Sequence, residues 1–336
     1  MTAFEVGAMT VAEKRRGLLD FRSAYSYPAH MIIGSAPFLY EWNSSFLRLP
    51  PEVKLGYTHG VVTDADDNVY VFNQSEHALC VFDRQGNYVK SWGSQFKDGA
   101  HGLFFTHDAD GSERLFLIDY VRQEVCKTTL GGDILMSIGL PPRSDIYPKS
   151  EMYKPTDVCV APDRSIYVFD GYGQPWVHRY TAAGEYIDSF GGDGSEPGKL
   201  KCPHGGWVDT RKAEPELYVA DRGNNRIQVF TLDGKHKRFI TKEMKQPCCF
   251  FQFKKNLYVP DLQARLTILD LHDDPACVLG DNPEAPKTEG WPNIQNKLQD
   301  GKFNSPHACC VDSRGNVYVV EWIETGRVTK LTRQAQ

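Results

Sequence analysis

Histidine recurs where short apolar runs begin. His101, His204 and His307 stand 103 residues apart, in the stretches AHGLFF, CPHGGWVD and SPHACCVD. His59 stands in a fourth stretch of this kind, YTHGVVTD. Any one histidine in a turn is more simply read as a backbone cap. Three at even spacing suggest a donor set, because three imidazoles converging with one side open are the ligands of a catalytic zinc site. One divalent metal ion is expected on His101, His204 and His307. Zinc is the first choice, with iron, manganese and nickel as alternatives that also accept imidazole. Tyr172 in FDGYG and Arg222 in ADRGNN end other runs. A phenol beside a metal and a cation can lose its proton and act as a base. A guanidinium can hold a carboxylate or steady a developing oxyanion.

These side chains act together only if the fold gathers them, and the chain carries a repeat that would. Units recur at roughly 42 to 59 residues. Each reads as a turn, a short apolar run, a second turn, and an aromatic-rich run ending in an acid or amide. Examples are VYVFN to Asn73, LFLID to Asp119, IYVFD to Asp170, LYVAD to Asp221, LYVPD to Asp261 and VYVVE to Glu321. Two further runs with Gly or Asp at the turns complete four strands per unit. One such unit cannot cover both its faces, so units must stack. The expected fold is all-β, a six-bladed β-propeller. Its inner strands begin near His59, His101, Thr156, His204, Cys248 and His307.

The last unit runs out after RVTKLT, and FLYEWN ahead of the first unit is strand-like. It is expected to complete the last blade and close the ring. Residues 1–36 read as an N-terminal arm or short helix and 37–334 as the propeller. The longer gaps, 140–154 and 281–303, read as loops over one face.

In a propeller the residue opening each innermost strand points at the axis. Alternate blades then set His101, His204 and His307 at threefold positions, with His59 as an extra histidine that is either a second acid/base or an additional ligand. A second ring follows the end of each second strand: Gln74, Tyr120, Tyr172, Arg222, Leu262 and Trp322. Of these, Tyr172 and Arg222 are the catalytic candidates, and Asn73, Gln74, Tyr120 and Trp322 are candidate substrate contacts. The acids ending the second strands are read as structural, satisfying turn amides.

Composition bounds the alternatives. At 336 residues, 41% of them apolar, the chain can bury a full core. The net charge is −5 with cations scattered along the sequence, so no nucleic-acid surface is expected. No apolar run approaches the roughly 20 residues that span a bilayer, and residues 1–25 lack the apolar core of an export signal. Nine cysteines, an odd count without CxxC spacing, read as reduced thiols. A soluble cytoplasmic protein with a small-molecule substrate, and without a nucleic-acid or membrane partner, is expected.

The units resemble NHL repeats. Across nearly the whole propeller the chain is similar to the peptidyl-α-hydroxyglycine α-amidating lyases, through AHGLFF, KPTDVCVAPDRSIYVFDGYG, CPHGGWVD, LYVADRGNNRIQVF and SPHACCVDSRGNVYV. The resemblance implies a six-bladed propeller with one zinc on His101, His204 and His307, Tyr172 as the base, and Arg222 as a functional arginine. It implies a lyase reaction that splits a carbinolamide into an amide and glyoxylate. Three positions depart from that pattern. The family's acid after the third histidine, which helps hold a structural calcium, is Ala308 here, so no calcium site carries over. Its blade-one arginine is replaced by Asn73 and Gln74, and it has no counterpart of His59. The expected function is therefore metal-dependent C–N or C–O cleavage of a small hydroxylated substrate, with a substrate pocket unlike that for peptides. Streptogramin lyase-type propellers, which also use histidines on the propeller face for elimination, point to the same reaction class. The alternatives are a non-catalytic propeller that binds protein or RNA, and a metal-dependent hydrolase or lactonase.

Overall fold

A computed structural model describes residues 31–335. It contains six antiparallel sheets, one per repeat, five of them built from four strands consecutive in sequence. Blade one runs through Thr58–Thr63, Val69–Asn73, Leu79–Phe82 and Tyr88–Trp92. The innermost strands of blades two to six are Ala100–His107, Asp157–Val160, Pro203–Asp209, Phe251–Phe253 and Pro306–Val311. No helix among the described residues is long and apolar enough to cross a membrane.

The second strand of every blade is apolar without alternation because both its faces are covered. Val69–Asn73, Ile166–Asp170, Glu216–Asp221 and Val317–Glu321 are buried at every position. Each blade lies between two neighbours, and six apolar clusters fill the six gaps. Val71, Phe82, Tyr318 and Val320 fill the gap between blades six and one, and Tyr218, Val229, Val259 and Leu269 that between blades four and five. Outer strands have a neighbour on fewer sides and show polar, exposed positions, as in Tyr88–Trp92.

Blade six closes the ring with strand Phe38–Asn43, which pairs antiparallel with Arg327–Arg333 through Tyr40–Arg333 and Trp42–Leu331. A further strand, Ile32–Ser35, pairs with Phe38–Asn43 and makes this blade five-stranded. The sheet therefore begins at Ile32, inside the 1–36 segment read as an arm. Its alternation was hidden because three of its four residues are exposed at the outer edge. The rest of that arm, residues 1–30, lies outside the described residues.

The acids and the amide that end the second strands clamp the segment entering each blade. Asp170 Oδ1 accepts from the Lys154 and Gly173 amides at 2.9 Å. Asp261 accepts from Lys245, Gln246 and Gln263, and Glu321 from Asn304 and Ser305. All nine cysteines are free. Cys309 and Cys310 are buried between blades, as expected of core residues.

Candidate metal and active site at the propeller axis

The innermost strands slip register by one residue at each axial histidine. Thr58 pairs with Asn73 and Gly60 with Phe72, leaving His59 as the extra residue. The same slip brackets His101 between Ala100 and Leu103, His204 between Pro203 and Gly206, and His307 between Pro306 and Ala308. A bulge turns a side chain out of the regular pleat. Here the four imidazoles turn toward one another. The rings of His101, His204 and His307 form a near-equilateral triangle, with centroids 4.9, 4.8 and 4.8 Å apart. His59 lies 4.6 Å from both His101 and His307.

Three of the four are anchored in the same way. His101 Nδ1 meets the Thr156 carbonyl at 2.6 Å, His204 Nδ1 the Cys248 carbonyl at 2.9 Å, and His307 Nδ1 the His59 carbonyl at 2.8 Å. Each acceptor opens the next blade, so the pattern steps round the ring by alternate blades. An Nδ1–H donated to a carbonyl fixes the tautomer that leaves Nε2 as a free donor atom for a metal. At His101 and His204 the glycine after the histidine makes room for the contact, whereas His307 is followed by Ala308. A Cβ on Gly102 would stand 2.6 Å from the Thr156 carbonyl oxygen, and one on Gly205 would overlap the Cys248 oxygen.

The donor set fits a divalent ion that accepts nitrogen. His59, His101 and His307 each offer a ring nitrogen within 4.8 Å of the others. Both nitrogens of His59 and Nε2 of His307 are buried without a hydrogen-bond partner. Burial holds all four imidazoles below their ordinary pKa, with neighbouring charges adding to the effect, and His307 is lowered to about 3. They are therefore neutral at pH 7, as ligands must be. The expected trio and the metal-sized trio share His101 and His307. His204 completes the triangle, but its Nε2 lies 3.2 Å from Tyr172 Oη.

Tyr172 Oη also lies 3.1 Å from His101 Nε2, so the phenol caps the histidine cluster. Gly171 permits this turn, because a Cβ there would strike Thr156 Oγ1 at 2.5 Å. The Arg222 guanidinium sits 5.3 Å from the centre of the Tyr172 ring. Burial pushes the phenol up to about 12, although Arg222 pulls it down. With these protein groups alone it keeps its proton at neutral pH. Among the described residues Arg222 makes no ion pair with a carboxylate, and a half-buried cation of this kind suits an incoming anion.

Above the histidines opens a cavity of ≈ 700 Å³ with His59, Tyr172 and Arg222 in its wall. Gln74, Tyr120 and Trp322 line it as expected. Asn73 does not. It is fully buried, accepts from the Gly56 amide at 2.9 Å and donates to the carbonyls of His77 and Ala78. It performs in blade one the clamping that an acid performs elsewhere. Leu262 is buried and stands outside the lining.

Two lining residues, Tyr57 and Lys154, were missed by the sequence reading. Tyr57 precedes the first axial strand and Lys154 precedes Pro155, where no periodic signal marks them. The 281–303 loop reaches this face, since Asn293 donates to Tyr57 Oη at 2.8 Å and Trp291 packs near Trp322. Below the histidines lies a second cavity of ≈ 200 Å³, walled by Phe104, Trp207, Phe251 and Cys249 and containing the Asp157 carboxyl.

No family model matches the chain. Mouse peptidyl-glycine alpha-amidating monooxygenase is 25% identical over 229 residues, 58% of this chain and 22% of that protein. Human NHL repeat-containing protein 3 is 25% identical over 235 residues, covering 65% of this chain and 66% of its own. Peptidyl-alpha-hydroxyglycine alpha-amidating lyase 1 of Drosophila melanogaster is 25% identical over 316 residues, 80% of this chain and 56% of that one. The chain thus spans well under half of the monooxygenases it matches. Among solved structures, a streptogramin B lyase superposes with a TM-score of 0.60 at 13% identity, over 88% of this chain and 98% of that one. A Xanthomonas campestris gluconolactonase gives 0.59 at 13% identity, over 88% and 90%. These two establish the fold alone. The homologues include amidating lyases and NHL-repeat proteins, and the six-bladed propeller expected from the repeats is the fold. The amidating-lyase relatives and a histidine cluster of metal-holding size fit an enzyme of the lyase kind.

Proposed function

We propose that this protein is a metal-dependent lyase that breaks a C–N or C–O bond in a small hydroxylated substrate. The observation that carries the reading is the threefold set of Nδ1–carbonyl bonds, which leaves Nε2 of His101, His204 and His307 as the free ring nitrogens, those of His101 and His204 within 3.1 and 3.2 Å of Tyr172 Oη. These three would hold the ion, with zinc the first expectation. A divalent ion there would polarise the substrate hydroxyl and add the positive charge that a phenol at about 12 needs to release its proton.

Tyr172 Oη then receives the hydroxyl proton while a carbonyl forms at the carbon. The electron pair of the breaking bond passes to the leaving nitrogen or oxygen, which takes a proton back from Tyr172. Arg222 binds an anionic group of the substrate, and Gln74, Tyr120 and Trp322 form the walls. The amidating-lyase relatives support this chemistry. A propeller lactonase would use axial carboxylates, and the only carboxylate in the walls of the two cavities, Asp157, lies below the histidines.

Two measurements test the proposal. Elemental analysis is expected to find one divalent ion per chain, lost when His101, His204 and His307 are all changed to Ala. Equal metal content in that triple variant overturns it. Glyoxylate release from an N-acyl-α-hydroxyglycine, the simplest carbinolamide, is expected to fall about 10²- to 10⁴-fold in Tyr172→Phe with metal retained. Undiminished release removes Tyr172 from the role of base.

A further inference from the structure

His59 differs from the other axial histidines in one respect. It sits in the same kind of bulge and is equally buried, 4% exposed. Its ring is as close to His101 and His307 as those rings are to each other. Yet it has no anchoring carbonyl. The equivalent acceptor would be the His101 carbonyl, which opens the next blade, and His59 does not reach it. Neither of its nitrogens has a hydrogen-bond partner. A buried polar group without a partner is costly, and such groups point to something that satisfies them. The Gln74 carboxamide is close enough to favour the charged form of His59, but its amide nitrogen already donates to the Ala100 carbonyl at 3.3 Å. What His59 faces at close range is the donor atoms of His101 and His307, all within 4.8 Å.

We propose that His59 is a fourth metal ligand, which makes the axial centre an all-imidazole, four-histidine site. The proposal rests on the metal reading given above and changes its chemistry. Four neutral ligands leave the ion its full charge, so it remains a strong Lewis acid. Four ligands also saturate a tetrahedral zinc, whereas a catalytic ion must keep a position for substrate. The substrate cavity opens directly on His59, so the site favours an ion that takes five or six ligands, such as iron, copper or nickel, over zinc.

Copper(II) serves as the probe. Electron paramagnetic resonance of the copper-loaded full-length protein is expected to show coupling to four nitrogens, falling to three in His59→Ala. Copper affinity in that variant is expected to fall at least about tenfold, the lower limit for losing even an outer partner of a ligand. Three nitrogens in the wild type with unchanged affinity in His59→Ala overturn the proposal and leave the three-histidine metal reading standing. A wild type that binds no copper, iron or zinc sinks both. If His59→Ala does not fold, as judged by its circular dichroism, the wild-type nitrogen count decides alone.

Discussion

Asp157 follows Thr156, whose carbonyl anchors His101, and its carboxyl enters the apolar cavity below the histidines. It accepts from the Gly206 amide at 3.2 Å, and burial pushes it up to about 7. An unfolded aspartate titrates near 3.8, so between these values the folded chain binds the extra proton. Stability from the protonated form is therefore complete below 3.8 and lost as the pH rises through 7. Asn keeps the acceptor and never ionises. Asp157→Asn is expected to melt with wild type near pH 4 and on the order of a few degrees above it near pH 8. Parallel melting curves across that range would show that Asp157 is hydrated and ordinary. At this scale the sequence disclosed residue types better than roles. The even spacing of His101, His204 and His307 could be read directly. Their tautomers could not, because each depends on a carbonyl of the neighbouring blade. Asn73 reads as a substrate contact from its type alone, but it occupies the position where the other blades carry a clamping acid. Comparison of the six strand ends would have assigned it.

At the scale of elements, the recurring His-Gly pair joins two requirements. The bulge aims the imidazole, and at His101 and His204 the glycine lets the next blade come close enough to hold it. Gly205→Ala would drive a methyl into the Cys248 carbonyl, the acceptor of His204. The expected result is a folded propeller with metal affinity lowered about 10- to 100-fold, the usual consequence of losing an outer partner of a ligand. Titration with a competing chelator measures it, and unchanged affinity would mean that the His204 anchor is dispensable. The strands themselves were legible because burial on both faces leaves the second strand of each blade unbroken and aromatic. The inner strand of blade five was legible only in part. It was placed from Cys248, but regular pairing covers only Phe251–Phe253. The Pro247–Asp261 bridge and the Cys248 amide on the Pro260 carbonyl tie the preceding residues to the end of the second strand, outside the regular pairing.

For the whole molecule, stability is distributed over six similar gaps, and the gap between blades five and six depends on residues far apart in sequence. Tyr40 and Trp42 from the closing strand pack with Tyr258, Phe303 and Leu331. Trp42 also lies 4.8 Å from the Phe303 ring and donates to Asp300 at 3.0 Å. Trp42→Ala is expected to cost about 3–5 kcal/mol, as truncating a buried aromatic does. Denaturant unfolding measures it, and a loss below about 1 kcal/mol would show that the closing strand is peripheral. Closure by early residues was foreseeable because the last repeat lacks a strand. That the blade gains a fifth strand was not, since Ile32–Ser35 is short and mostly exposed.

The same closure sets a timetable for synthesis. Phe38–Asn43 leaves the ribosome long before Arg327–Arg333, the strand it must join. Until then its apolar face and open hydrogen-bonding edge have no permanent partner, while the intervening blades can already form and stack. Closure of the ring is therefore a join between the first and last strands of the propeller sequence. It waits until the last blade has been made and carries the slowness and aggregation hazard of distant strand pairing. A cell that produces this protein must keep one strand from sticking for as long as the five intervening blades take to be made.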